Sequence, residues 1–157
     1  MALRKNVVIG ADGRMQQLQS GDTVANVADT GQITQTATPT LIAGNAVYSS
    51  AADTVSKAIA TAVATSKLLG LATTPITAAA TGVIQCNGIL ALTTAQWDAV
   101  AGTTGGLAFN ADYYLSPTTA GLLTATCPTT VGQTVVIVGT AISTTELRLE
   151  PTQPILL

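Results

Sequence analysis

The sequence predicts an all-β protein with one short helix, preceded by an N-terminal hairpin and an extended arm. Three observations carry that expectation. Short apolar runs recur between turn signals such as Asp12-Gly13 and Asn87-Gly88, a spacing of strands rather than of helices. Threonine and alanine dominate the composition, and threonine is β-branched and fits a pleated surface. Only "TTAQWDAVAG" joins a capping residue to apolar positions at helical spacing and a terminal glycine.

Taken in order, "NVVIGADGRMQQLQSGDTV" has an apolar run at Val7 to Ile9, a turn at Asp12-Gly13 and a return through Met15 and Leu18. Asp-Gly supplies positive φ at low cost, so residues 6–19 are expected to form a hairpin. Residues 20–40 hold no large apolar cluster and read as a linker or extended arm. The division is placed near Pro39: residues 1–40 form an attachment hairpin and arm, and residues 41–157 a β domain.

Within that domain, strands are expected around Ala46 to Ser49 and Val55 to Ile59, with a turn at Ala52-Asp53. Leu68 to Ala72 reads as a strand, with a helix over residues 56–66 as the alternative. Val83 to Cys86 and Ile89 to Leu92 flank Asn87-Gly88, the pair favoured in a type I′ hairpin. Thr93 or Thr94 caps the one helix, which presents Trp97 and Val100 to the core. "DYYLSPTTAGLLTAT" is a hairpin around Pro117 and Gly121, and "QTVVIVGTAIS" a long strand with a bulge or bend at Gly139. In "TTELRLEP", Leu147 and Leu149 face the core while Glu146, Arg148 and Glu150 face solvent. Pro151 and Pro154 stop pairing and leave Ile155, Leu156 and Leu157 in need of cover.

Charged residues make up 9% of the chain, against about a quarter in ordinary domains. The mean hydropathy of +0.45 is carried mainly by alanine. A chain this poor in charge, aromatics and bulky apolar residues is a marginal monomer, which points to an obligate oligomer or a component of a larger assembly. Net charge is −2, so there is no basic face for phosphates and nucleic acid is not an expected partner. Three of the six cations, Arg4, Lys5 and Arg14, lie in the first fourteen residues and are the candidate attachment residues. The uncharged stretches from Leu68 to Trp97 and from Tyr113 to Thr145 are broken by Pro, Gly, Asn and Gln, so neither reads as a membrane span. The basic start is followed by no apolar run of signal-peptide length, so manufacture in a cytoplasm is expected.

Chemistry is sparse. With no histidine, the usual general base near neutral pH and the commonest transition-metal ligand are missing. The eight carboxylates lie mostly beside Gly, Asn or Thr in turns, where they bond local backbone N–H groups. A hydrolase built on two of them is the least favoured reading. The Gly-Gly pair in "AGTTGGLAF" has no lysine or strand-loop-helix setting and reads as a flexible turn rather than a phosphate loop. Cys86 and Cys127 have no metal-ligand spacing and are expected to be buried free thiols, pairing only if their strands are neighbours. No catalytic, metal or cofactor-binding residue is assigned. Trp97, Phe109, Tyr113 and Tyr114 cluster within residues 97–114. They are read as core anchors, with a stacking platform for sugar or base as the alternative and Tyr113 or Tyr114 as the candidate subunit contact.

The pattern "LRKNVVIGADGRMQQLQSGDT" resembles the opening of small virion structural proteins of tailed bacteriophages. "LTTAQWDAVAGTTGGLAFNADYYLSPTTAGLLTATCPTTVGQTVVIVGTAISTTELRLEPTQPILL" is similar to their capsid decoration or head-fibre proteins. The resemblance implies a small β-barrel or β-tulip-like domain, often a homotrimer, without enzymatic activity or cofactor. It implies attachment to the major capsid protein or another virion protein, at the capsid surface. The alternative it leaves open is a tail or head fibre component, an adhesin that contacts host-surface glycan.

Overall fold

A computed structural model describes residues 31–157 and the backbone of two earlier strands, β1 (Val7–Ile9) and β2 (Met15–Gln17). These two pair antiparallel from Val7↔Gln17 to Ile9↔Met15, the pairing expected of the hairpin, whose Asp12-Gly13 turn lies outside the described residues. Residues 18–30, which include most of the expected arm, lie outside the described residues.

Five strands then close into a barrel: β3 (Gln32–Ala37), β4 (Ala46–Ala51), β5 (Thr54–Lys57), β6 (Leu68–Ala72) and β7 (Thr81–Gln85). Around the barrel the order is β3-β5-β4-β6-β7. β3 completes the ring, running antiparallel to β7 from Gln32↔Gln85 to Thr36↔Thr81 and parallel to β5 at Thr36↔Thr54. Residues 32–37 are thus barrel wall, whereas the sequence placed them in the arm. The strand escaped notice because the side chain it lends to the interior is Ala37, and its other residues are exposed or half-buried. Residues 56–66 form the end of β5 and a turn, not a helix.

The remaining strands are β8 (Gly88–Ala91), β9 (Asp112–Leu115), β10 (Leu123–Thr124), β11 (Thr134–Val135), β12 (Ile137–Ala141), β13 (Glu146–Leu149) and β14 (Ile155–Leu156). An open antiparallel sheet runs β10-β9-β12-β13-β8, and β11 and β14 make a separate two-strand sheet. The architecture of the described residues is therefore mostly β, with a closed five-strand barrel and one helix, as expected. The Asn87-Gly88 pair, however, is not a hairpin turn. β7 is occupied on both edges by β3 and β6, and β8 pairs with β13 from Gly88↔Leu149 to Ala91↔Glu146. A type I′ turn needs positive φ at both central residues; Gly88 has φ +83, but Asn87 is not among the positive-φ positions. Asn87 instead packs against Gly31, whose carbonyl accepts from Cys86 N at 2.6 Å, so the segment is the crossing from barrel to sheet.

Successive strand residues point to opposite faces, and the wall shared by barrel and sheet is apolar on both. In β4, Val47 enters the barrel interior and Ala46 the larger core outside it; in β6, Ala72 and Leu71 divide in the same way. The barrel interior holds Leu41, Val55, Ile76 and Ile84, while the outer core collects Leu90, Tyr113, Leu115, Val138, Leu147 and Leu149 from the sheet. Leu147 and Leu149 are buried and Arg148 and Glu150 exposed, as their alternation predicted, with Glu146 half-buried. The register of β12 on β9 shifts between Ile137 and Gly139, the expected bulge. A side chain at Gly139 would collide with the Arg148 carbonyl of β13.

Helix α1 (Thr94–Ala101) lies between β8 and β9 in sequence. Thr93 accepts from Gln96 N, and the Gln96 side chain accepts from Thr93 N at 2.9 Å, which makes a capping box. Gly102 ends the helix in the left-handed region, φ +64. Trp97 and Val100 are buried as expected, and Trp97 Nε1 donates to the Thr145 carbonyl at 2.9 Å.

The hairpin of β9 and β10 pairs Leu115↔Leu123 and Tyr114↔Thr124. Its turn is organised by Ser116, whose hydroxyl accepts from Thr118 N and Thr119 N, both at 3.2 Å. Gly121 then reaches back to the barrel. Its N–H donates to Ala58 O at 2.7 Å, and its carbonyl accepts from Ala46 N and from the buried Asn45 side chain.

Candidate functional site

Among the described acidic groups, Asp98 is the one most fully placed by local bonds. Asp98, on the helix, accepts from Thr103 Oγ1 at 2.9 Å, Gly105 N at 3.0 Å and Gly106 N at 2.8 Å. The Gly-Gly segment, read as a flexible turn, is therefore pinned to this carboxylate. The bond from Gly106, reinforced by those from Gly105 and Thr103, holds the Asp98 carboxyl below its ordinary pKa against the opposing effect of desolvation. A lowered folded pKa gives stabilisation that is complete above the unfolded value of about 3.9 and is lost as pH falls through the folded value. Asp98→Asn should therefore melt below the parent at neutral pH by a gap that closes in acid. Thermal melts of both proteins between neutral and strongly acid pH would show this, and a pH-independent gap would contradict it.

Asp112 accepts from Thr140 Oγ1 at 2.7 Å, and Glu150 pairs with Arg148 at 2.9 Å on the surface. Among the described residues, no group of three or more His, Cys, Asp and Glu side chains is placed to hold a metal ion. No helix of the described residues is long and apolar enough to cross a membrane.

The aromatic cluster divides. Trp97 and Tyr113 are fully buried, and the Tyr113 hydroxyl accepts from Ala108 N at 3.0 Å. Tyr113 is a core residue and has no surface left for a subunit contact. Tyr114 is half-buried on the opposite face of β9 and keeps that candidacy. Burial, with the nearby Cys127 and Asp112 charges, raises its hydroxyl pKa. Phe109 is 76% exposed and so is not the core anchor expected of it, and the alternative, a stacking platform, comes down to one ring at the surface and one at half-burial.

Both cysteines are free. Cys86 is half-buried, and desolvation raises its thiol pKa. Cys127 is exposed, contrary to expectation, because β10 ends at Thr124 and the apolar-looking "LLTATC" continues as surface loop. That loop forms one bank of a groove of about 310 Å³, with residues 126–130 facing residues 116–118 of the hairpin turn and with Thr124 and Gln133 between them. A smaller apolar cleft of about 270 Å³ lies where Ile42, Ala43 and Pro75 of the barrel loops meet Ala95, Gln96 and Ala99 of α1.

Beyond the groove the surface turns apolar. Gly132 N donates to Leu157 O at 3.0 Å and Leu157 N to Gln133 O at 2.9 Å, which seats β14 beside the loop. The tail expected to stop pairing after Pro154 thus rejoins the fold through β11, at Thr134↔Leu156 and Val135↔Ile155. Its side chains remain uncovered, as the sequence indicated, and Val131, 86% exposed, lies in the same loop. The sequence reading passed over Val131, although a large apolar residue between Thr130 and Gly132 in a turn is itself a sign of exposure. Arg4, Lys5 and Arg14 lie outside the described residues. Comparison with protein-family models, with curated proteins and with solved structures found no match to the chain.

Proposed function

We propose that the chain is a non-enzymatic structural protein of a tailed-bacteriophage virion, a decoration protein that cements the head surface as a homotrimer. The observation that carries this reading is the separate two-strand sheet of β1 and β2. Among the described residues no other strand pairs with this hairpin, and a hairpin of three-residue strands is not independently stable in water, so a sequence with Val7, Val8, Ile9 and Met15 in its strands calls for a surface to fold against. Its surroundings in sequence are cationic, with Arg4, Lys5 and Arg14 against Asp12 in the first fourteen residues. The described domain carries Lys57, Lys67 and Arg148 against Asp53, Asp98, Asp112, Glu146 and Glu150.

The division of labour follows from that asymmetry. The hairpin docks on the major capsid protein or another virion protein, and the barrel and sheet stand above it. Binding to the assembled head and not to its separated subunits stabilises the head by mass action. Heads prepared without the protein should rupture at a lower temperature than heads to which it is added back. Equal rupture temperatures would dispose of cementing. Replacing Arg4, Lys5 and Arg14 by glutamine should weaken head binding and flatten its salt dependence.

A further inference from the structure

We propose that Asn87-Gly88 is a self-modifying site, at which the Asn87 carboxamide cyclises onto the Gly88 nitrogen in the folded chain and is then hydrolysed to an acid. The inference is independent of the virion role and of any oligomer.

The pair suits a hairpin turn by composition but stands at the crossing from barrel to sheet, where Asn87 and Gly88 are both exposed and Gly88 has φ +83. Glycine puts no side chain beside its own nitrogen, and ring closure between neighbours in the chain needs no encounter. Gly88 also opens β8, where Gly88↔Leu149 is the terminal pair with β13. Terminal pairs open at little cost, which frees the nitrogen for attack.

A relay of two short hydrogen bonds ends on the peptide group that supplies the nucleophile. Gln32 Nε2 donates to Gln85 Oε1 at 2.6 Å, and Gln85 Nε2 donates to Asn87 O at 2.6 Å. Gln85 is 4% exposed, so water competes little for the second bond. Bonds in such a chain polarise one another. Density drawn onto Asn87 O makes the N–H of the same peptide group, that of Gly88, more acidic, and the nitrogen attacks once that proton has gone. Gly31 lies against the Asn87 carboxamide, where a side chain would collide with Oδ1 and Cγ, and this contact limits the swing of the group.

The step needs only water and hydroxide. Hydroxide takes the Gly88 proton, the nitrogen bonds to Asn87 Cγ, and the Cγ–Nδ2 bond breaks as Nδ2 takes a proton from water and leaves as ammonia. Water then opens the cyclic imide. Opening at Cγ leaves an ordinary aspartate; opening at the backbone carbonyl leaves a main chain that runs through Cβ and Cγ and is one methylene longer. Either product adds one negative charge to a chain of net charge −2 and sets a carboxylate against Gly31. The longer one also displaces Cys86, whose N–H donates to Gly31 O at 2.6 Å in the same crossing. The covalent state of Asn87 thus dates each copy of the protein.

Peptide mass spectrometry of the full chain, kept folded at neutral and mildly alkaline pH, tests the site. The Asn87 peptide should gain the small mass of an amide converted to an acid, as two isomers, faster as pH rises and well before the Asn45 and Asn110 peptides. Gln85→Met should slow the conversion several-fold in the folded protein and leave it unchanged in denaturant, with emission from buried Trp97 reporting the fold. Should Gln85→Met unfold, Gln32→Ala at an exposed position weakens the same relay. If Asn87 stays intact in the folded protein while the unfolded chain converts, the β8 ladder protects it and the site falls. Equal folded-state rates with and without the Gln85 carboxamide would overturn the relay. Scission between Asn87 and Gly88 would make the carboxamide nitrogen the nucleophile and overturn the step.

Discussion

Trp97→Ala is expected to lower the stability of the domain by about 3–5 kcal/mol, the usual range for deleting a large buried aromatic. Trp97 has no exposed surface and lies in the outer core with Leu90, Leu107, Tyr113 and Leu147. Its ring holds the helix against the sheet, and its N–H holds the Thr145 carbonyl. For a domain of this size the loss corresponds to a melting temperature lower by roughly 6–20 °C at fixed protein concentration. Trp97→Phe should be milder, because most of the buried area remains and Thr145 O still accepts from Leu92 N at 2.9 Å. A Trp97→Ala protein that melts with the parent would mean that α1 is not clamped to this core.

Asn45→Ala is the second change expected to be severe, although it removes very little apolar surface. Asn45 is 1% exposed. Its Oδ1 accepts from Ile42 N at 3.0 Å and its Nδ2 donates to Gly121 O at 3.1 Å. The side chain thus joins a barrel loop to the β9–β10 turn. Truncation leaves the Ile42 N–H short of its partner and the Gly121 carbonyl with only its bond from Ala46. A loss of about 1–3 kcal/mol is expected in chemical denaturation, the cost of one group left without its partner. Asn45→Asp sharpens the test. Its carboxylate can accept from Ile42 but faces the Gly121 carbonyl with no proton to donate. Desolvation and that carbonyl raise the folded-state pKa of such a group, so the Asp variant should recover stability relative to the parent as pH falls. Equal stability of all three proteins at neutral pH would remove Asn45 as a tie between the two layers.

What the sequence made legible was local. The Thr93 cap, the stop at Gly102, the alternation through Leu147 and Leu149, and the turn around Pro117 and Gly121 are each specified by neighbours within a few residues. The reading failed where non-local pairing decides the outcome. Asn87-Gly88 satisfies hairpin statistics, yet both edges of β7 are taken by strands from elsewhere in the chain. "QITQTA" shows little amphipathicity because a narrow barrel asks it for one small interior side chain, Ala37. Cys127 follows an apolar run and is exposed, since where a two-residue strand stops is set by its partner rather than by its own residues. The last strand was half legible: the uncovered "ILL" was expected, but its seating beside the 125–133 loop depends on pairing between β11 and β14.

The order of strands also sets a timetable for synthesis. β3 is made early but cannot close the barrel until β7 exists, because Ile33 pairs with Ile84. β8 waits longer, since Leu90 pairs with Leu147 near the end of the described chain. Contacts this distant along the chain slow folding, because the loops between them must close before any pairing is gained. At about 5–20 residues per second on the ribosome, β8 leaves the exit tunnel seconds before its partner is made. For that interval Leu90, Leu92 and the inward side of α1 are uncovered. A nascent chain is thus most exposed to aggregation between the emergence of the helix and that of β13, and a strand-final truncation would prolong that state indefinitely.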